Sequence, residues 1–234
     1  AIRYAVDNGA TVINMSFGKG YSPNKPAVDA AVKYAMEKDV LLIHAAGNDG
    51  KNLDLTNNYP NDVFEKKGKP GKKSATNWVE VGALNADLGE NMAAEFSNYN
   101  QEYVDVFAPG VKIYSTLPGG NTYGFLNGTS MAAPVVTGIA SLIRSYYPQL
   151  SAKQVKYAID KSAESKSAIT VTVPGTDSTT TLNELSETGG FVNAYIAVEI
   201  ASTLKPEVKK DTKPVPNKKD KPVIINSQES KSKN

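Results

Sequence analysis

Asn127-Gly128-Thr129-Ser130-Met131-Ala132-Ala133-Pro134 is the stretch on which the reading of this chain turns. A serine follows Gly-Thr, and small residues, Pro134 and the apolar run Val135-Val136-Thr137-Gly138-Ile139-Ala140 follow the serine. This order predicts a tight loop entering a buried helix, with Ser130 at or near the first turn. A helix start presents unpaired N–H groups and a partial positive charge, so negative charge developing beside the serine is favoured there. Gly128 permits close approach of backbone to a ligand, and the alanines leave room above the hydroxyl. Pro134 is expected to be tolerated as a first-turn residue, where N–H groups lack intrahelical partners. An isolated Gly-Thr-Ser is better read as a turn capping a core helix.

The longer string, Gly-Thr-Ser-Met-Ala-Ala-Pro, resembles the nucleophile motif of the subtilisin-like serine proteases. Ala45-Ala46-Gly47-Asn48 resembles the segment carrying that family's oxyanion-hole asparagine, and Val12-Ile13-Asn14-Met15-Ser16-Phe17-Gly18 resembles its substrate-binding strand. The three strings stand in the family's order, and the resemblance runs from about Ala1 to Thr203. It implies an α/β fold, a three-layer parallel sheet with helices on both faces. It also implies a serine endopeptidase acting on polypeptides, with Ser130 as nucleophile and Asn48 as oxyanion donor. Ser16, Phe17, Gly18, Ala45, Ala46 and Gly47 are the implied substrate-binding residues. Members of the family also carry an aspartate in Asp-(Thr/Ser)-Gly and a histidine in His-Gly-Thr, upstream of the substrate-binding strand. Neither motif occurs in this chain. The expectation is a portion lacking the N-terminal part of its domain, inactive by itself and prone to aggregate.

The 234 residues suffice for one large α/β domain. Net charge is +2, unevenly spread: residues 205–234 hold nine lysines against four acidic residues, and residues 1–204 hold 17 basic and 20 acidic ones. No nucleic-acid-binding face is expected from that balance. Cysteine is absent, which excludes disulfides and thiolate metal sites. No apolar run reaches the roughly 18 residues that span a bilayer. The resemblance allows calcium, but no acidic cluster marks a site. It also implies a secreted or cell-envelope location.

Along the chain, Ala1 to about Asn8 reads as a helix end with Gly9 as its stop. Thr11–Met15, Val40–Ile43, Val79–Ala83 and Val104–Phe107 read as strands, and Pro26 opens an amphipathic helix with Val28, Ala31, Val32, Ala35 and Met36 on one side. Their alternation predicts a parallel sheet covered by helices. The helix after Ser130 is expected to run to about Tyr146, before Pro148. Ser151 and Gln154 fit a capping box, with Leu150 and Val155 as its staple. Ile169–Val173 and Thr179–Leu182 form a predicted hairpin across Pro174-Gly175-Thr176-Asp177. A last helix covers Ala194–Thr203. The lysine-rich stretch from Asn61 to Asn77 reads as a surface insertion, and residues 205–234 as a disordered tail or linker outside the domain at 1–204.

Chemistry by serine needs a nucleophile, a base, an orienting group and donors for the oxyanion. The Ser130 backbone N–H and the Asn48 amide are the two donor candidates. Asn48 falls beyond the carboxyl end of a buried strand, where open parallel sheets bind ligands. Phe17 with Ala45, Ala46 and Gly47 suggests an apolar primary pocket for large or aromatic side chains. His44, the only histidine, ends an apolar strand and reads as a core residue with a backbone partner rather than as the base or a metal ligand. Asp7, Asp87 and Asp105 lack the Asp-(Thr/Ser)-Gly context and read as structural or surface residues. A non-catalytic, peptide-binding pseudoprotease is the competing interpretation. A nucleotide-binding domain is disfavoured, because no Gly-x-Gly-x-x-Gly or Walker-type loop follows a strand.

Overall fold

The computed structural model describes residues 1–64, 75–87, 89–165 and 169–207. Most of residues 205–234, and the middle of the lysine-rich stretch, lie outside the described residues. Four strands, β1 (Val12–Met15), β2 (Leu41–Ala45), β3 (Trp78–Leu84) and β4 (Val106–Pro109), pair side by side in parallel. The short strands β7 (Glu164–Ser165) and β10 (Gly190–Phe191) complete a six-stranded sheet in the order β1-β2-β3-β4-β10-β7. Only the β10–β7 pair is antiparallel.

β2 and β3 are buried along their whole length, because helices cover both faces. Alternation then sorts each strand. Leu41, Ile43, Val79 and Val81 face one side, packed against α3 (Thr129–Tyr146), α4 (Ala152–Ser162) and α5 (Ala194–Thr203). Leu42 and Trp78 face the other, with Met15 and residues of α1 (Ile2–Asp7) and α2 (Lys25–Glu37). A third cluster forms around Phe107 and Leu182 near the hairpin of β8 (Thr170–Thr172) and β9 (Thr179–Thr181).

Local signals act where expected. Gly9 ends α1 with φ +86°, its N–H reaching Val6 O. Ser151 and Gln154 form a complete capping box on α4. An antiparallel hairpin of β5 (Ile113–Leu117) and β6 (Thr122–Leu126), not expected from any strand pattern in the sequence, leads directly into Gly128. It exposes Tyr114, which stacks on Tyr123 and lies tilted against Phe125.

Two expectations need correcting. The ends of the lysine-rich stretch are not surface loop: Phe64 and Ala75 are buried in the cluster with Trp78, because they close the α2 side of the sheet. Pro134 is not a first-turn residue. α3 begins at Thr129, so the missing proline N–H is the one that would bond the Ser130 carbonyl four residues earlier. The Ser16 hydroxyl donates to that carbonyl instead, at 2.8 Å.

Candidate active site

Three loops meet over the carboxyl ends of the parallel strands: the turn after β1, the turn after β2, and the start of α3. Gly128 precedes α3 with φ +150°, a conformation that favours glycine. Its N–H bonds Gly110 O at 2.8 Å, which ties the loop to the end of β4.

Asn48 is held by its carbonyl side. Its Oδ1 accepts from Thr129 N and from Thr129 Oγ1, both at 2.9 Å. Thr129 Oγ1 also accepts from Gly47 N at 3.1 Å. Thr129 is 1% exposed, and these bonds fix the orientation of the exposed Asn48 amide. A backbone N–H can only donate, so oxygen must face Thr129 and Nδ2 must face the opposite way. There it lies beside Gly128: a β-carbon placed on Gly128 would stand 3.3 Å from Asn48 Nδ2 and 3.6 Å from Ser130 N. Two N–H-bearing nitrogens, from loops 81 and more residues apart, therefore border one point in space.

Ser130 Oγ donates to Ser16 O at 3.1 Å, and Ser16 Oγ donates to Ser130 O at 2.8 Å. This reciprocal pair stitches the start of α3 to the strand segment Ser16-Phe17-Gly18. A cleft of about 330 Å³ separates the loops, lined by Phe17, Gly18, Ala45, Gly47, Asn48 and Ser130, with Asp49, Asn57, Asn58 and Thr129. Ser16 meets Ser130 but does not line the cleft. Ala46 packs into the core with Leu84, Met92 and Phe107, and its carbonyl accepts from Asn98 Nδ2 at 2.9 Å. The same Asn98 nitrogen would lie 2.4 Å from a β-carbon on Gly47, whose φ is +102°. Gly47 is thus required both by conformation and by space.

The expected apolar pocket is not what these residues build. Asn58 lodges its amide between the two glycines, where its Oδ1 would collide at 2.0 Å with a β-carbon on Gly18. Its Nδ2 donates to Ala45 O at 2.8 Å. The walls are mainly amide, hydroxyl and carboxylate groups, and the Phe17 ring stands 57% exposed at the rim. Asn58 was invisible in the sequence because its position depends on the loop's return after β2, not on a local pattern.

His44 is fully buried, with Nε2 on Phe17 O at 2.7 Å. The expected backbone partner is there. The sequence reading missed the second partner: Nδ1 lies 2.8 and 3.0 Å from the two oxygens of Glu80. His44 and Glu80 stand opposite each other in the β2–β3 register. A signal existed, since one acid inside Trp78-Val79-Glu80-Val81 and one histidine inside a neighbouring apolar strand each need a buried partner. Asp105 is buried and bonds Lys156 Nζ at 2.7 Å and Glu80 N at 2.6 Å. Asp7 accepts from Tyr34 at 2.6 Å, and Asp87 from Gly89 N at 3.0 Å. None of these aspartates lines the cleft. Among the described residues, no group of three or more histidine or acidic side chains is arranged to hold a metal. No helix among the described residues is long and apolar enough to cross a membrane.

A mostly parallel sheet between helical layers, with these loops at the strands' carboxyl ends, is a subtilisin-like α/β architecture. Residues 1–201 match the family model of Peptidase S8, the subtilase family, and the chain belongs to that family. It is 43% identical over 164 residues to subtilisin DY of Bacillus licheniformis, covering 69% of this chain and 53% of that protein. To subtilisin E of Bacillus subtilis strain 168 it is 40% identical over 164 residues, covering 69% and 38%. Among solved structures, the prenylagaramide maturation protease PagA superposes with a TM-score of 0.65 at 29% identity, covering 86% of this chain and 66% of that one. The patellamide maturation protease PatA gives 0.63 at 25% identity, covering 86% and 66%. The chain spans about half or less of the length of the curated relatives it matches.

Proposed function

We propose that this chain carries the nucleophile half of a serine endopeptidase that cleaves polypeptides through an acyl-enzyme. Ser130 Oγ attacks the scissile carbonyl, and the oxyanion is received by Ser130 N–H and Asn48 Nδ2. One observation carries the proposal: both nitrogens border the point beside Gly128, inside a cleft that also contains the serine. The substrate backbone lies along Ser16-Phe17-Gly18, opposite Ala45-Ala46-Gly47. The polar, Asn58-filled cleft favours small or polar side chains before the scissile bond.

The only histidine is engaged by Glu80 and Phe17, so the base and its carboxylate come from outside this chain. By itself the chain is then inactive, and its domain at 1–204 needs a complementing segment, with residues 205–234 outside it. The chemistry calls for no cofactor and no nucleic acid. The resemblance to subtilisins supports a site of action outside the cell or in its envelope. The competing reading, a peptide-binding pseudoprotease, has the same cleft without the proton transfer.

The test is fluorophosphonate labelling of the full-length protein. Labelling that disappears in Ser130→Ala supports the enzyme, and a full-length protein that binds peptides but resists labelling is a pseudoprotease. In Asn48→Ala, kcat is expected to fall by about 10²–10³, a figure carried over from subtilisin itself, where one such donor was removed.

A further inference from the structure

His44 sits directly beneath the cleft, yet the chemistry proposed above makes no use of it. Its ring is 0% exposed, and both nitrogens are taken. A carbonyl oxygen can only accept, so the contact with Phe17 O requires hydrogen on Nε2. Nδ1 faces the Glu80 carboxylate at 2.8 and 3.0 Å. Glu80 is itself anchored twice: its Oε2 accepts from Trp78 Nε1 at 2.7 Å, and its backbone N–H is held by Asp105. Trp78 packs on the imidazole at 5.1 Å between ring centroids. The His44 ring is therefore fixed in place and tautomer by buried partners on β3, in the manner that outer carboxylates orient a working histidine.

What this rigid donor grips is the segment that faces substrate. Along extended backbone, successive carbonyls point to opposite sides. Ser16 O points to Ser130 Oγ, and Phe17 O points down to His44. Releasing the second contact frees the first residue pair to turn. Burying an ionisable pair is costly in a core, and apolar residues commonly pack at least as well. The contact ends on the carbonyl of Phe17, a residue that lines the cleft.

We propose that His44 is a positioning residue for extended peptide substrates: its Nε2–H fixes the Phe17 carbonyl, and the Glu80–Trp78 pair fixes His44, so that Ser16-Phe17-Gly18 is preformed as the substrate-binding edge. The inference rests on the peptidase reading of the Ser130 cleft. Preorganised edges save the ordering cost that a mobile segment would add to binding. Peptides that lie along the edge depend on the clamp, and small acyl groups that reach only Ser130 do not.

The test uses full-length protein with His44→Gln, Glu80→Gln and the double variant. An amide at position 44 can donate to Phe17 O, but its oxygen then faces the Glu80 carboxylate. In the double variant, an amide at position 80 donates to that oxygen and still accepts from Trp78, which restores a neutral clamp. For acetyl-Ala-Ala-Ala p-nitroanilide, His44→Gln is expected to raise KM about tenfold, the equivalent of one net hydrogen bond. The kcat, p-nitrophenyl acetate hydrolysis and fluorophosphonate labelling should stay within about threefold. The double variant should regain most of the KM. Uniform loss in all readouts, or a folded His44→Gln with unchanged KM, overturns the proposal.

Should the variants fail to fold, full-length wild-type protein decides by NMR, with the His44 ring signal assigned through its contact with Trp78. A slowly exchanging Nε2–H that shifts when acetyl-Ala-Ala-Ala-aldehyde binds is expected. A rapidly exchanging or unmoved signal overturns the clamp. Wild-type protein that is not labelled at Ser130 sinks the peptidase reading instead, and the exchange rate of the Nε2–H still judges the contact itself.

Discussion

At the scale of single residues, Thr129 decides which way the Asn48 amide faces. Its hydroxyl donates to Asn48 Oδ1 and accepts from Gly47 N, and valine has the same shape without either capacity. Thr129→Val is expected to cost about 1–2 kcal/mol in a denaturant melt, since the buried Gly47 N–H loses its partner. It should also lower kcat in the full-length protein by about tenfold with little change in KM, because the amide is no longer held for the transition state. Asn58 sets the width of the cleft. Removing its side chain in Asn58→Gly opens the space between Gly18 and Gly47, and a substrate panel should then shift toward aromatic side chains before the scissile bond by about tenfold in kcat/KM. Ser130, Asn48 and the segment 16–18 were legible in the sequence because each lies in a contiguous string. Asn58, Thr129 as the amide's anchor, and Glu80 were not, because their roles exist only once distant loops are superimposed.

At the scale of elements, α3 carries a break that another element repairs. Pro134 cannot donate to Ser130 O, and the Ser16 hydroxyl at the end of β1 does so from 114 residues away. Ser16→Ala should destabilise the fold by about 1 kcal/mol. In a Pro134→Ala background, the restored helical N–H reaches the same carbonyl, and the loss should shrink to a few tenths of a kcal/mol. A double-mutant cycle by urea denaturation measures this coupling, and additive effects would show that the hydroxyl does not substitute for the helical bond. Elements with a strong period, such as α2 and the buried strands β2 and β3, were legible from apolar spacing alone. The β5–β6 hairpin was not: Ile113–Leu126 mixes tyrosine, threonine and glycine, exposes both strands, and is specified by pairing rather than by alternation against a core.

At the scale of the whole molecule, a line of hydrogen-bonded polar groups crosses the sheet from His44 through Glu80 and Asp105 to Lys156 and Asp160. Its outer end is strained electrostatically. Burial, and secondarily the charge of Asp105, raises the Asp160 pKa from 3.8 to about 6, against the pull of Lys156. Among the described residues Asp160 Oδ1 has no hydrogen-bond partner, which is consistent with a carboxylate that resists ionising there. The sign follows from linkage. The folded pKa lies above the unfolded one, so folding binds a proton between pH 4 and 6, and stability declines as pH rises through that window and then levels off. Asp160→Asn should remove this decline: thermal melts are expected to show the variant gaining over wild type above pH 6 by a few degrees and matching or trailing it below pH 4. A pH-independent difference would place the cause elsewhere. Composition made the size and class of the domain legible, but this network was hidden because its members sit on β2, β3, α4 and the turn before β4.

The pairing of Ser16 with Pro134 also constrains how either residue can be replaced. A proline at position 134 without the Ser16 hydroxyl leaves the Ser130 carbonyl with no donor, whereas the hydroxyl without the proline adds a donor to one already paired. Swapping the two residues one at a time is therefore asymmetric in its consequence: without the Ser16 hydroxyl the carbonyl stands bare, whereas without the proline it gains a second donor.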